Sequence, residues 1–529
     1  MASSGEIQRN LIQRVNVGDS LTRSAARYPD RTALVDGARR FSYREFNSLV
    51  NRFAHGLAER GYTRGDALAL ASGNSAEFLV TYYACAKLGV VCVPVNLGWR
   101  PDEVAYVLGH SKARGIVIEA QLLPVLGETV AAADGVTDVI VAPGTGEDTG
   151  DHLPFSGVCS ANDAEPDAYV EDRDPISYLY TSGTTSAPKG VVGNHTAIYL
   201  ESLSVAVEAR YDESDRFVAM MPMFHTAQLN AQCTAAVMVG AATYVMRSFD
   251  AGALLDLIET ESITQIFGLP MMFRAMLDHP SMADRDVSSL RRALYAMATM
   301  PEAQLRECLD TFGCDFFLLF GQTEMSPVST LFRPEHQLSH PGAVGTPVAN
   351  VQVGIMDETG KLLPRGSEGE IVYRGPHTLS EYLDNPGATE AVFEHGWFHS
   401  GDVGRVDDDG MLWFTDRRKD VIKTGGENVA SVEVEKAIYA ASPDVAEAVV
   451  VGLPHERWTE AITAIVTPRP GAEVNAGELA RALRAHLDPY KIPKAIVVAG
   501  ELPRTSTGKI QKNVLRSRYA GFYDDSPER

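Results

Sequence analysis

The segment Tyr180–Gly190, YTSGTTSAPKG, sets two glycines, three threonines, two serines and one lysine directly after the strand-like run PISYLY. Backbone N–H groups of such a turn, together with Ser and Thr hydroxyls and one ammonium, form a concavity suited to phosphate oxygens. It is not the common P-loop, because five residues separate Gly183 from Lys189 and no Gly-Lys-Ser/Thr occurs. A Gly/Ser/Thr stretch alone is more often a linker; the abrupt strand before it and the single lysine favour phosphate.

A second group, FGQTE (Phe320–Glu324), follows the strand-like DFFLLF, and α/β proteins place ligands at such strand ends. Read in isolation, Glu324 equally suits a capped helix start, facing the positive helix end. From Pro503 to Arg518 stand five basic residues (Arg504, Lys509, Lys512, Arg516, Arg518) and no acidic one. By itself that is a solvated basic tail.

The elements that must carry these groups read as α/β. Asp66–Leu97 reads strand, helix, strand (DALALASGN, SAEFLVTYYACAKLG, VVCVPVNL), the mark of a parallel unit. Helix-like AGALLDLIETESI leads into TQIFGLP, and PEAQLRECLDTF into DFFLLFGQTE. From about 344 to 415, short runs (VQVGIMD, GEIVYRG, MLWFTD) alternate with Gly- and Asp-rich turns, which predicts a β-rich subdomain. After Asp416 a small α+β unit is expected: helix-like SVEVEKAIYA, strand-like EAVVVGLP and AITAIVTP, then ELARALRAHL. The expected domains are therefore 1–416 and 417–529, with DRRKD (Asp416–Asp420) as the polar junction.

Charge supports that division. Of 529 residues, 47 are Lys or Arg and 69 Asp or Glu, a net of −22. Residues 417–529 hold 17 basic and 15 acidic residues, net +2, which leaves −24 for residues 1–416. So acidic a chain argues against nucleic acid or an anionic membrane as partner. The six cysteines include no C-x-x-C pair, and reduced buried thiols are expected. The N-terminus MASSGEIQRN has no secretory apolar region, and the longest uncharged apolar stretch, Ala231–Met246, is shorter than the roughly 18 residues of a membrane span. A cytoplasmic protein is expected. The oligomeric state is not readable from the chain, a homodimer being one state it allows.

YTSGTTSAPKG resembles the phosphate loop of the adenylate-forming superfamily, which includes acyl-CoA synthetases, peptide-synthetase adenylation domains and luciferases. Six further matches follow in the family's order: MPMFHTAQ (Met221–Gln228), LYAMATMP (Leu294–Pro301), FGQTE, GWFHSGD (Gly396–Asp402), DRRKDVIKTGGENV (Asp416–Val429) and PRTSTGKIQK (Pro503–Lys512). Each alone is weak; seven in order are highly specific. The resemblance implies a large N-terminal domain and a small mobile C-terminal one. It also implies two half-reactions: a carboxylate and ATP give an acyl-adenylate and pyrophosphate, then a thiol displaces AMP.

The resemblance also implies roles. Thr181, Ser182, Gly183, Thr184, Thr185 and Lys189 would bind phosphate, with Thr184 among the catalytic residues. Phe320 would pack on adenine, Gly321 would belong to the nucleotide site, Thr323 would contact phosphate, and Glu324 would hold Mg²⁺, a hard cation suited to carboxylate and phosphate oxygens. Asp402 would accept from both ribose hydroxyls, and Arg417 would reach the same sugar. Lys419 falls at the hinge about which the C-terminal domain rotates. Lys509 would supply positive charge where one anion attacks another. Lys423 would serve the thiol step, and Gly425 and Gly426 would let the pantetheine arm of CoA pass close to the backbone. Of Lys189, Arg417, Lys423 and Lys509, three fall in 417–529, so closure of the small domain would bring much of the positive charge. Two departures stand out: Ser186 where the family usually has glycine, and Ala296 and Met297 adding bulk where a glycine-containing segment lines the pocket.

His225, Gly268, Ala296 and Met297 would border the acid. No acidic residue occurs from Phe217 to Arg247, which disfavours an amino-acid substrate. FHTAQLN, FGLPMMF, YAMATMP and FGQTE contain no Lys or Arg, so a second substrate carboxylate, as in malonate, would lack a cation partner. An apolar monocarboxylic acid is expected, and the methionines (Met221, Met223, Met271, Met272, Met297) suit flexible chains. A fatty acid is the first reading and an aryl acid of the benzoate or cinnamate type the second. Two further readings remain: transfer to a carrier-protein thiol instead of CoA, and a nucleotide-binding regulator without catalysis. Lys189, Glu324, Asp402 and Lys509 together oppose the last.

Overall fold

A computed structural model describes residues 3–144, 150, 152–181, 188–504 and 510–524. Contacts divide the chain into two compact units, residues 1–353 with 373–398, and residues 354–372 with 399–529.

The first unit is α/β, built on two large sheets. One runs, in spatial order, Leu153–Pro154, Asp138–Ala142, Ala113–Glu119, Ala67–Ala71, Val91–Pro94, Pro175–Thr181, Lys189–Asn194. All neighbours are parallel except the last pair, an antiparallel hairpin in which Thr181 lies opposite Lys189. The predicted strand–helix–strand over 66–97 is present: Ala67–Ala71 and Val91–Pro94 pair in parallel across the helix Ala76–Leu88. Its Ser75 cap accepts from the Phe78 N–H and Gly89 ends it in the left-handed region. Every residue of that helix is buried. A helix covered all round has no solvated face, and its two charged side chains are paired, Glu77 with Arg39 at 2.5 Å and Lys87 with Glu165 at 2.7 Å.

The second sheet runs Thr346–Pro347, Val328–Phe332, Asp315–Gly321, Arg292–Tyr295, Gln265–Gly268, Arg216–Ala219, Ala242–Val245, Thr32–Asp36, Arg39–Ser42. Its parallel centre ends on one side at Asp315–Gly321, which turns back antiparallel into Val328–Phe332. Both helix-to-strand units predicted here form, as Ala251–Glu261 into Gln265–Gly268 and Glu302–Phe312 into Asp315–Gly321. Burial of strands such as Ala67–Ala71 and Arg292–Tyr295 along their whole length matches the continuous apolar runs of parallel sheets covered on both faces.

The strands Phe398–Val406 and Leu412–Arg417, all but Phe398 in the second unit, pair antiparallel within a four-stranded sheet, in the region where the Gly- and Asp-rich turns predict a β-rich subdomain. A further sheet orders Glu427–Val429, Ile422–Thr424, Thr459–Pro468, Val445–His455, with Ala495–Val498 added in parallel. The helix Ser431–Ala441 packs into its core through Val434 and Ile438. The expected boundary at 416/417 falls inside this unit. Across that position the Asp416 carboxylate accepts from the Ser431 N–H at 2.6 Å and the Ser431 hydroxyl at 2.7 Å, tying the strand end to the helix start.

Candidate functional site

Strand ends of the first unit carry the residues expected to meet phosphate. Thr181 closes one strand and Lys189 opens its partner, directly opposite. Ser182, Gly183, Thr184, Thr185 and the departing Ser186 lie between them, outside the described residues. Gly190 is closely packed: a Cβ there would stand 3.2 Å from Leu383 Cβ and from the Tyr180 ring. The Lys189 ammonium sits 4.9 Å from the centre of the Tyr382 ring. The Tyr382 hydroxyl donates to Glu324 Oε1 at 2.8 Å. Lys189 and Glu324, 135 residues apart in sequence, are thus brought to one tyrosine.

Glu324 stands in a single 3-10 turn, Thr323–Met325, just past the strand Asp315–Gly321. Gln322 precedes this turn without a side-chain cap, so the capped-helix reading of Glu324 finds no support. Gly321 admits no side chain: its Cβ would lie 1.9 Å from the Pro327 carbonyl oxygen. Phe320, half-buried, ends the same strand. Among the described residues no cluster of three or more His, Cys, Asp or Glu side chains could cage a metal. Mg²⁺ does not need one, because it is commonly held by one or two carboxylates completed by water and substrate phosphates. Glu324 is a donor of that kind.

The residues expected to border the acid lie at the ends of neighbouring strands. Gly268 ends Gln265–Gly268, and a Cβ on it would meet Met220 Cε and Met272 Sδ, each at 3.2 Å. His225 begins a short helical turn, Thr226–Gln228. Its Nε2 is buried without a hydrogen-bond partner among the described residues, and burial lowers the ring's pKa to about 4, so it is neutral near pH 7. Ala296 is buried, but Met297 is 60 % exposed with φ of +74°. The Met297 side chain is thus largely exposed, and a methionine occupies backbone that glycine adopts freely.

Sequence reasoning passed over Asn74, at the end of DALALASGN. It is 3 % exposed, and its Nδ2 lies 3.1 Å from the Ala219 carbonyl oxygen and 3.0 Å from those of Met221 and Met246. Its Oδ1 accepts from the Met223 N–H at 2.9 Å. One amide thus laces the first sheet to two strand ends of the second and fixes the loop that carries His225. Only its position in a small-polar cluster after a buried strand hinted at this. Tyr382 was missed for the same reason: nothing local marks it.

The second unit, taken by itself, joins the two residues expected at ribose. Asp402 and Arg417 are cross-strand partners, with Arg417 Nε 2.7 Å from Asp402 Oδ1, and Asp402 is 3 % exposed. Lys419 lies in the turn that follows, closed by bonds from the Asp420 and Val421 N–H groups to the Arg417 carbonyl. Lys423 is exposed on Ile422–Thr424, its N–H bonded to Glu460 Oε2 at 2.7 Å. Gly425 and Gly426, with φ of +60° and +90°, form the two-residue turn into Glu427–Val429. Two positive φ values in succession suit a type I′ hairpin, which accounts for both glycines without a ligand. Gly425 also lies against Trp458, whose ring atom Cε3 would be 3.1 Å from a Cβ. Lys509 lies outside the described residues; Arg504 and Ile510, on either side, form an antiparallel bridge.

The profile described as "AMP-binding enzyme" matches residues 21–383, and "AMP-binding enzyme C-terminal domain" matches 433–509. The chain belongs to this family, the adenylate-forming superfamily of acyl-CoA synthetases and AMP-dependent ligases. It is 34% identical to a feruloyl-CoA synthase of an Amycolatopsis species, over 95% of this chain and 99% of that protein. Against the long-chain-fatty-acid–CoA ligase FadD13 of Mycobacterium tuberculosis the identity is also 34%, over 96% and 99%. The fold superposes on ATP-bound MatB from Rhodopseudomonas palustris with a TM-score of 0.88, at 28% identity, covering 97% of this chain and 100% of that one.

Proposed function

We propose that this chain is an acid–CoA ligase that activates an apolar monocarboxylic acid, a fatty acid first, with ATP and Mg²⁺. The observation that carries the reading is the convergence of the Lys189 ammonium and the Glu324 carboxylate on Tyr382, beside the hairpin of the Gly/Ser/Thr loop. A cation and a carboxylate held by one tyrosine suit a phosphate chain and its counter-ion.

In the first half-reaction the acid's carboxylate attacks the α-phosphorus of ATP, and the bond to pyrophosphate breaks. Lys189 and the loop N–H groups hold the phosphates, and Lys509 supplies charge to the developing pentavalent centre. Bound Mg²⁺, held by Glu324, would neutralise phosphate charge. His225, neutral, can hydrogen-bond a carboxylate oxygen without altering the charge of the site. In the second half-reaction the CoA sulfur attacks the acyl carbon and AMP leaves, with Lys423 acting in this step after a rotation hinged at Lys419. Asp402 and Arg417 hold the ribose.

The methionine-lined wall at Gly268 supports a flexible aliphatic chain. The equal identity to a feruloyl-CoA synthase favours the aryl acid as second reading. A panel of fatty, aryl and dicarboxylic acids with ATP, Mg²⁺ and either CoA or a carrier protein, following AMP and thioester, tests all of this. Acid-dependent AMP release with apolar monocarboxylates and CoA is expected. No acid-dependent AMP, a preference for dicarboxylates, or thioester on carrier protein alone would overturn it.

A further inference from the structure

We propose that Tyr382 is a positioning residue for the phosphate end of the site, orienting the Glu324 carboxylate with its hydroxyl and seating the Lys189 ammonium on its ring; this rests on the reading of Lys189 and Glu324 given above. The tyrosine is 6 % exposed and belongs to no long strand, yet its backbone is fixed on both sides. The Ser380 N–H bonds the Val192 carbonyl at 2.9 Å, the Val192 N–H bonds the Glu381 carbonyl at 3.0 Å, and the Leu383 N–H bonds the Gly190 carbonyl at 2.8 Å. Residues 380–383 therefore run as an added strand against Lys189–Asn194, with Val191 opposite Tyr382. On the other side the Leu379 N–H bonds the Glu324 carbonyl at 2.6 Å. One short segment thus sets the spacing between the lysine strand and the Glu324 turn, and a single rigid phenol spans the gap.

Each contact has a separate consequence. A hydroxyl on Oε1 fixes the carboxylate plane and leaves Oε2 for a cation. A ring face under an ammonium stabilises it without cancelling its charge, as a carboxylate would. The pair stays ready for opposite ligands, a metal ion and a phosphate, rather than closing on each other.

Tyr382→Phe keeps the ring and removes the hydroxyl; Tyr382→Leu removes both. In full-length enzyme, the Mg²⁺ midpoint of acid-dependent pyrophosphate exchange is measured beside equilibrium binding of a fluorescent ATP analogue with and without Mg²⁺. Tyr382→Phe is expected to raise the Mg²⁺ midpoint about tenfold, the scale of a lost bond to a charged group, with metal-free analogue binding kept within twofold. Tyr382→Leu additionally weakens metal-free binding about fivefold. Glu324→Gln is the control. If it shifts the midpoint and Tyr382→Phe does not, or Tyr382→Phe lowers only the melting temperature, the inference is overturned alone. An unshifted Glu324→Gln overturns the metal reading of Glu324 together with it.

Discussion

Replacing Asn74 separates a packing loss from an electrostatic one. Its amide lies within hydrogen-bond distance of three carbonyl oxygens and accepts one N–H, although an amide has only two hydrogens, so one is shared. Asn74→Ala removes about three bonds worth roughly 1 kcal/mol each and strands buried carbonyls, for a loss of about 3 kcal/mol. Asn74→Asp keeps the shape and the bond from Met223, but turns a carboxylate towards three carbonyl oxygens. Burial and those dipoles raise its folded-state pKa above the unfolded value, so stability is fully present below the unfolded pKa and is lost as pH rises through the folded one. Relative to Asn74→Ala it should lose about 1.4 kcal/mol per pH unit across that window. Thermal unfolding at pH 7 should rank wild type, then Ala, then Asp, and the Ala–Asp gap should narrow at pH 5.5. Both variants should raise the KM for the acid, because the Met223–His225 loop loses its tether. An Asp variant as stable as Ala at pH 7, or a gap that does not depend on pH, would refute this account.

Lys509→Ala should lower pyrophosphate exchange by about 10²-fold or more, the scale of one lost transition-state donor, and near-wild-type exchange would remove Lys509 from the step. Lys423→Ala should slow thioester formation while adenylation persists; equal loss of both steps would contradict its role. Met297→Gly should stabilise by up to about 1 kcal/mol by relieving left-handed backbone on an exposed side chain, read as a higher melting temperature. His195, His225 and His377 each have a pKa lowered to about 4, by burial first. A lowered folded pKa gives stability that is present above the unfolded value near 6.5 and is lost as pH falls towards 4. Stability should therefore fall from pH 7 to pH 5, less steeply in His377→Gln, and equal slopes would refute the assignment.

The sequence by itself determined the elements and the family. Asp66–Leu97, Ala251–Gly268 and Pro301–Glu324 formed the expected helices and strands because side-chain periodicity and caps act over a few residues. The motif order fixed the class of chemistry, and the cross-strand pair of Asp402 and Arg417 brought together two residues assigned to one sugar. Tertiary structure decided what lies between distant elements. It tied Asp416 at a strand end to Ser431 at a helix start. It left Met297 exposed on left-handed backbone. It also made Tyr382 and Asn74 central, although neither belongs to a motif. The physical reason is strand order: neighbours in these sheets are not neighbours in sequence, so which tyrosine meets a lysine and a glutamate is settled only when the sheets assemble.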